Sequence, residues 1–386
     1  MQKEDVKNMT NSERLLNYCE KNLVHKENFY TYMEEYPNFI FQLLNASLLN
    51  ITGKQIIESQ RRLLALQKIK SVFYEKEIQT FISSKIPFVG IKGYFIEKVY
   101  YPPEYTRLYG DIDILVSDND GKSFYNMLIS NNYNILKAKD SPLNFKKKLF
   151  IDKILLCFGS TFFKYRHHAE LEKPTSFPNS DVVLDLHGNL FLTQNSPKKS
   201  MIANSITKTI GSNTFKIFSP EDNILFLMYH TIKHVGYVNL ARENLGINLG
   251  NFYDVAQIIT LEKIDWKRFI TRATEYSYFI PMVALFMKIF NDIFPNKIPS
   301  QIIDDINKLA LKMNFHWKVI YNNAIKMSSS DLIMGNYQSI TWLHKHCVNV
   351  SLKQINPEYI WIFWAWFYFK MNFSKKYREE KRIKNA

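Results

Sequence analysis

The sequence contains little cysteine. Three of its 386 residues are cysteines, Cys19, Cys157 and Cys347, and they form no Cys-x-x-Cys pair or Cys/His cluster. Neither a disulfide framework nor a structural zinc site is therefore indicated, and we expect a reducing compartment.

Long hydrophobic runs are also absent. The polar segment Met1–Glu13 lacks the apolar centre of a secretory signal, and no stretch approaches the roughly 20 apolar residues that span a bilayer. We therefore expect a cytoplasmic protein. Internal repeats and low-complexity tracts are missing as well, so the organisation has to be inferred from changes in hydrophobic period.

The composition is that of a folded globular protein. Hydrophobic residues make up 46% of the chain and charged residues 22%, which excludes a disordered or collagen-like protein. The net charge of +14 could indicate nucleic acid, anionic lipid or a polyphosphate substrate. The tail Lys370–Ala386 alone contributes +5 of this charge, and the rest is thinly spread.

Changes in hydrophobic period divide the chain into three parts: an N-terminal helical region (1–80), a mixed α/β core (81–215) and a helical C-terminal domain with a basic tail (216–386). The predicted fold class is therefore α/β (α+β). In the core, short apolar runs predict strands at Phe88–Ile91, Leu108–Val116, Tyr165–Glu172 and Val182–Leu186. Apolar spacing predicts helices at Ile56–Ser83, Tyr94–Tyr100 and Gly121–Asn131, and Ser219–Asp222 has the pattern of a helix start.

Two acids interrupt the second of these strands. Asp111 and Asp113 are at positions i and i+2, so a strand would direct both to one face, about 6.6 Å apart along the backbone. Paired carboxylates repel unless a cation lies between them, and divalent cations bind such pairs. Solvated acids at an exposed sheet edge are the competing interpretation of a lone Asp-x-Asp.

Three nearby features favour a bound divalent cation over solvated acids. Lys92 and Gly93 lie at a strand-to-helix turn, where backbone N–H groups and an ammonium can hold a phosphate. Arg107 provides a second cation, able to bind phosphate through two nitrogens. Asp185 is a third acid inside an apolar strand, and three carboxylates can build a two-metal site for displacement at phosphorus.

The order of these motifs resembles a known family. Ile91-Lys92-Gly93, Gly110-Asp111-Ile112-Asp113 and Leu184-Asp185-Leu186-His187 are similar to the uncharacterised bacterial nucleotidyltransferases of the polymerase-β-like superfamily, and the likeness extends between residues 60 and 260. The resemblance implies a small mixed-sheet nucleotidyltransferase core. It also implies that Gly93 holds the triphosphate and that Asp111, Asp113 and Asp185 hold two Mg²⁺ ions, with Mn²⁺ as an alternative. The serine that usually follows this glycine is replaced by Tyr94, and the gap to Asp111 is long.

Several histidines are further candidates. His187 shares a strand face with Asp185, so it either contacts substrate or bonds to a neighbour. His230 and His234 have the i, i+4 spacing of metal ligands but no third ligand, which favours packing, with His230 kept as a substrate-binding candidate. His167, His168, Glu170 and Glu172 fit solvated strand polarity better than a cleft lining.

Tyr359–Phe369 is apolar on every side. As a helix it is about 16 Å long, half of a bilayer core, so a buried helix is favoured over an interfacial membrane helix assisted by the basic tail. Binding of an acceptor by exposed aromatic side chains is a third interpretation.

We therefore expect a metal-dependent nucleotidyltransferase that transfers NMP from an NTP to an unidentified acceptor, such as a small molecule, a sugar phosphate or a modified peptide. Lys92, Gly93 and Arg107 would steady the triphosphate. Nucleic acid is disfavoured as a partner, since no basic and aromatic stripe accompanies the proposed cleft. The alternatives are a metal-dependent glycosyltransferase that uses a nucleotide sugar and a catalytically silent nucleotide-binding module.

Overall fold

The computed structural model describes residues 10–22, 54–102, 107, 109–135, 168–177, 180–188, 190, 198–235, 249–275, 280–312 and 329. The predicted aromatic helix Tyr359–Phe369 and the basic tail lie outside the described residues, as does His167. None of the helices in the described ranges is long and apolar enough to cross a membrane.

Over the described ranges the chain forms ten helices and seven strands. The helices are α1 (Asn11–Asn22), α2 (Lys54–Ser83), α3 (Gly93–Tyr100), α4 (Gly121–Ser130), α5 (Lys198–Ala203), α6 (Pro220–Val235), α7 (Leu249–Leu261), α8 (Trp266–Glu275), α9 (Ile280–Ile293) and α10 (Ser300–Lys312). The strands are β1 (Val89–Ile91), β2 (Ile112–Leu115), β3 (Asn134–Ile135), β4 (His168–Lys173), β5 (Val182–His187), β6 (Ile206–Ile210) and β7 (Asn213–Ile217).

All seven strands join one mixed sheet in the order β3-β4-β5-β2-β1-β7-β6. The pairs β2/β5 and β1/β7 are parallel, whereas the other four pairs are antiparallel. The predicted α/β fold class is therefore confirmed. The division of the chain at residues 80 and 215 stays a prediction.

The strand predicted at Leu108–Val116 is shorter than expected and begins at Ile112. Pairing between β1 and β2 ends at Ile91 and Asp113, because Lys92 has a φ of 52° that turns the chain away from the sheet. The pairing of β2 with β5 begins at Ile112 and Leu184, so Asp111 lies in a bend just before β2 and not within the strand. The expectation that both acids occupy one strand is wrong on this point.

A hairpin of β6 and β7 forms one edge of the sheet and was not predicted from the sequence. Its two strands alternate between buried or half-buried and exposed residues, and they are joined by Gly211 and Ser212. Gly211 has a φ of 58°, which suits the first position of a two-residue hairpin turn. This alternation around a Gly-Ser pair was the signal available in the sequence.

Helices α2 and α3 pack against the central strands through aromatic side chains. A Cβ at Gly90 would lie 2.3 Å from the ring of Phe95, so only glycine allows α3 to sit this close to β1. On α2, Phe81 contacts the rings of Phe88 and Phe124. Both helices therefore belong to the same hydrophobic core as the sheet.

The predicted start of α6 is confirmed. The helix begins at Pro220, and the backbone N–H of Asp222 donates to Oγ of Ser219 at 3.3 Å. The Asp222 carboxylate is buried and pairs with Arg272 of α8 at 2.8 Å. Because both ends of this contact are buried, it fixes α6 against α8.

Candidate metal and nucleotide site

The sheet register brings the predicted acids together. Asp113 of β2 is the direct neighbour of Asp185 on the parallel strand β5. On its other side Asp113 pairs with Ile91, the last residue of β1, so the Lys92-Gly93 turn follows immediately beside it. Three elements far apart in sequence thus meet at one place in the sheet.

Asp113 is the centre of the polar contacts. Its side chain is 2% exposed, and its Oδ1 accepts a hydrogen bond from Lys92 Nζ at 2.6 Å. Nε2 of His187 lies 2.9 Å from the same oxygen. The sequence left His187 open between substrate contact and a bond to a neighbour, and the structure shows the bond to Asp113.

Asp113, Asp185 and His187 form a group whose composition fits a divalent cation. One ligand atom from each lies within 4.8 Å of the other two. Burial raises the pKa of Asp185 well above its ordinary value, and the carboxylates of Asp113 and Asp111 raise it further. Carboxylate oxygens and a neutral imidazole are ligands that such cations accept, and a cation would relieve the repulsion between these acids.

Asp111 lies beside this group but is not one of its three members. It is half-buried, and its backbone oxygen lies 3.5 Å from the position a Cβ would take at Gly93. Its carboxylate contributes to the raised pKa of both Asp185 and Lys92. The three predicted acids therefore share one electrostatic environment, although only two of them are in direct register.

The turn at Lys92 and Gly93 has a backbone that favours glycine. Gly93 has a φ of 27°, and a Cβ there would lie 3.3 Å from Cβ of Tyr109 and 3.8 Å from Oδ2 of Asp113. Helix α3 begins at Gly93, so the first N–H groups of the helix lie beside the acids. A phosphate bound there would find backbone donors and the Lys92 ammonium together.

Charge holds Lys92 in its protonated form. Burial alone lowers the pKa of its ammonium. The carboxylates of Asp113, Asp111 and Asp185 outweigh this effect, so the pKa is raised. Nε2 of His230, on α6, lies 3.3 Å from the same nitrogen. His230 therefore reaches the site through Lys92, whereas the side chain of His234 lies outside the described part of the chain.

Arg107 has a partner that the sequence did not indicate. Its guanidinium donates to both carboxylate oxygens of Asp254 on α7, at 2.8 to 3.0 Å, and the hydroxyl of Tyr101 donates to Oδ1 of Asp254 at 2.6 Å. Arg107 is 7% exposed and Asp254 is fully buried. The geometry supports a buried ion pair, and the predicted contact of Arg107 with a triphosphate stays untested.

Two further residues adjoin the acids. Glu170 of β4 pairs with Asp185 in the antiparallel register, and its carboxylate raises the pKa of Asp185. The hydroxyl of Tyr74, on α2, donates to the backbone oxygen of Gly110 at 2.8 Å and so supports the bend before Asp113. The sequence pattern favoured solvated polarity for Glu170, and it did not distinguish Tyr74 from other apolar positions of its helix.

Comparison with known proteins places the chain in a family. No curated protein sequence matches it. A protein-family model described as "Uncharacterised nucleotidyltransferase" matches residues 47–294, which include every member of the acidic group, the Lys92-Gly93 turn and the buried pair of Arg107 and Asp254. The match covers more than half of the chain, and the chain therefore belongs to this nucleotidyltransferase family.

Proposed function

We propose that the protein transfers a nucleoside monophosphate from an NTP to an acceptor and releases pyrophosphate. The acceptor nucleophile would bond to the α-phosphorus as the bond between the α-phosphorus and the bridging oxygen of pyrophosphate breaks. The observation that carries the proposal is the pairing of Asp113 with Asp185 next to the Lys92-Gly93 turn. It puts a candidate cation group and a candidate phosphate cradle side by side.

Asp111, Asp113 and Asp185 would hold the divalent cations, with two Mg²⁺ ions as the proposed set and Mn²⁺ as the alternative. Bound cations would neutralise charge on the triphosphate and make the acceptor more nucleophilic. Asp185 is the acid farthest from the turn, since it lies one strand beyond Asp113. We assign one of its carboxylate oxygens to take the proton of the acceptor.

The triphosphate would be held by the first N–H groups of α3 and by Lys92. Gly93 adds no side chain between Tyr109 and Asp113 that would stand in the way of a phosphate at these N–H groups. For Arg107 we propose an indirect role, in which its ion pair with Asp254 fixes the segment that leads to Asp111. Positioning of this kind is a major part of catalysis by nucleotidyl transfer enzymes.

We propose that the acceptor molecule binds near His187 and His230. His187 lies on β5 two residues after Asp185 with its Nε2 2.9 Å from Oδ1 of Asp113, and Nε2 of His230 lies 3.3 Å from Nζ of Lys92. Imidazole nitrogens can donate or accept hydrogen bonds, which suits a polar acceptor such as a sugar phosphate, a small molecule or a modified peptide.

Calorimetry with ATP, GTP, CTP and UTP tests the proposal. At least one NTP should bind in excess Mg²⁺ and lose most of its affinity in EDTA. Asp113→Asn should abolish the gain in NTP affinity that Mg²⁺ gives to the wild type. Asp305→Asn is the matched control, because Asp305 is a surface residue on α10 that pairs with Lys308, and this variant should bind like the wild type.

Mass spectrometry of reactions with labelled NTP and fractionated cell metabolites should then show a nucleotidylated product together with pyrophosphate. Equal NTP binding in Mg²⁺ and in EDTA, or no binding of any NTP, would contradict the assignment of the site.

A further inference from the structure

Lys92 lies where a cation would be expected. Its ammonium is 2.6 Å from Oδ1 of Asp113, one of the oxygens proposed for metal binding, and the two side chains are 13% and 2% exposed. His187 approaches the same Oδ1 at 2.9 Å. A ligand oxygen that already accepts two such contacts has little remaining capacity for a metal ion.

Electrostatic repulsion by the Lys92 ammonium opposes metal binding at Asp113 more strongly than the occupied hydrogen-bonding positions do. A divalent cation on Asp113 would lie a few ångströms from the ammonium in a buried environment, where water screens their repulsion poorly. The carboxylates of Asp111 and Asp185 also act on the ammonium of Lys92 and favour its charged form. The lysine therefore serves as the positive charge that this group of acids needs in the free protein.

We propose that Lys92 is a built-in counter-ion that competes with divalent cations for Asp113, so that metal binding is weak until an anionic ligand draws the ammonium away. This inference rests on the proposed function in one respect: the anionic ligand is the triphosphate of the NTP. Metal and nucleotide then bind cooperatively, because each removes an obstacle to the other.

The ammonium of Lys92 also has a contact outside the acidic group. The backbone at Lys92 is held in an unusual conformation with a φ of 52°, immediately before α3, so any displacement has to come from the side chain. Nε2 of His230, 3.3 Å from the ammonium, is a contact on α6, outside the acidic group. A phosphate at the start of α3 would be a stronger partner, since it carries negative charge.

Manganese binding, measured by electron paramagnetic resonance of free Mn²⁺, tests the proposal on the full chain. Wild-type protein should bind Mn²⁺ weakly alone and at least about tenfold more tightly with a saturating α,β-methylene analogue of the preferred NTP. Lys92→Met should bind Mn²⁺ without nucleotide at least about tenfold more tightly than the wild type.

Lys98→Met is the matched control. Lys98 is on α3, the helix that follows Lys92, and its ammonium bonds to Ser71 at 2.9 Å and lies over the ring of Tyr94. This variant should bind Mn²⁺ like the wild type. Melting temperature gives a second readout: Lys92→Met should be less stable than the wild type in EDTA, and Mn²⁺ should raise its melting temperature more.

If Lys92→Met does not fold, Lys92→Gln replaces it, because glutamine keeps a hydrogen-bond donor without the charge. Its Mn²⁺ affinity is compared with that of the wild type in the same way. Lys92 variants that bind Mn²⁺ no more tightly than the wild type would overturn the proposal. A gain in Mn²⁺ affinity in a protein that binds no NTP would support the competition and contradict the proposed function, so the two failures are distinguishable.

Discussion

The buried pair of Arg107 and Asp254 offers a test of what Arg107 does. Asp254 is fully buried, and its carboxylate accepts hydrogen bonds from the guanidinium of Arg107 and the hydroxyl of Tyr101. Arg107→Met leaves that carboxylate with the tyrosine alone. A positioning role and a direct role at the triphosphate predict different results when the carboxylate is then removed as well.

The expected loss of stability in Arg107→Met is large because both partners of the ion pair are buried. Removing one member of a buried ion pair leaves an uncompensated charge, which costs about 3 to 5 kcal/mol in unfolding free energy. The double variant Arg107→Met/Asp254→Leu removes both charges of this pair, and the buried carboxyl of Glu97, which also interacts with Arg107, stays in place. Replacing a buried pair with apolar side chains of similar volume is often near neutral, so we expect the double variant to regain about 2 to 3 kcal/mol.

The assay combines unfolding in urea at low temperature with NTP affinity measured in Mg²⁺. With a positioning role, Arg107→Met should lose stability and NTP affinity together, and the double variant should recover both. Lys208→Met is a control, because the ion pair of Lys208 with Glu262 is half-exposed and should contribute less than about 1 kcal/mol.

A direct contact between Arg107 and the triphosphate would give another pattern. NTP affinity would then fall by the same factor in the single and the double variant, whatever their stabilities. That result would refute the positioning role and restore the interpretation drawn from the sequence.

Three further predictions concern the sheet and the turn. Asp185→Asn should lower turnover by about 100- to 1,000-fold with little change in NTP affinity, in steady-state kinetics with any established acceptor. Gly93→Ala should reduce NTP affinity in calorimetry and cost about 1 to 3 kcal/mol in urea unfolding, because φ is 27° and the new Cβ meets Tyr109 at 3.3 Å. Gly90→Ala should cost about 1 to 3 kcal/mol, since its Cβ overlaps Phe95, and Gly90→Ala/Phe95→Leu should lose less than the two single variants together.

The proximity of Asp113 and Asp185 was predictable because each is a polar interruption in a short apolar strand, whereas the approach of His187 to Asp113 was left open. The other residues of β2 are buried and aliphatic, and β5 has buried Val182, Leu184 and Leu186 around Asp185, which makes an isolated solvated acid improbable there. The fold class followed from the change between strand and helix periods. The length of β2 did not follow, because it depends on its pairing with β5, which begins at Ile112 and Leu184, and with β1, which ends at Ile91.

The partners of these residues could not be predicted. Asp254 is 147 positions from Arg107, and His230 is 138 positions from Lys92. A single sequence contains no information on which cation meets which acid at such separations, since many arrangements satisfy the same charges. Arg107 therefore looked like a phosphate ligand, although the structure gives it a buried carboxylate.

The unpredicted hairpin explains why the contact of His230 was out of reach as well. β7 pairs in parallel with β1, placing Ile217 beside Gly90, and α6 begins three residues later at Pro220. The path of α6, and with it the approach of His230 to Lys92, therefore depends on a strand that the sequence analysis had not identified. In this protein the local sequence is enough to predict the acids of the site. The contact of His230 with Lys92 depends on the order of the strands in the sheet, which the local sequence does not indicate.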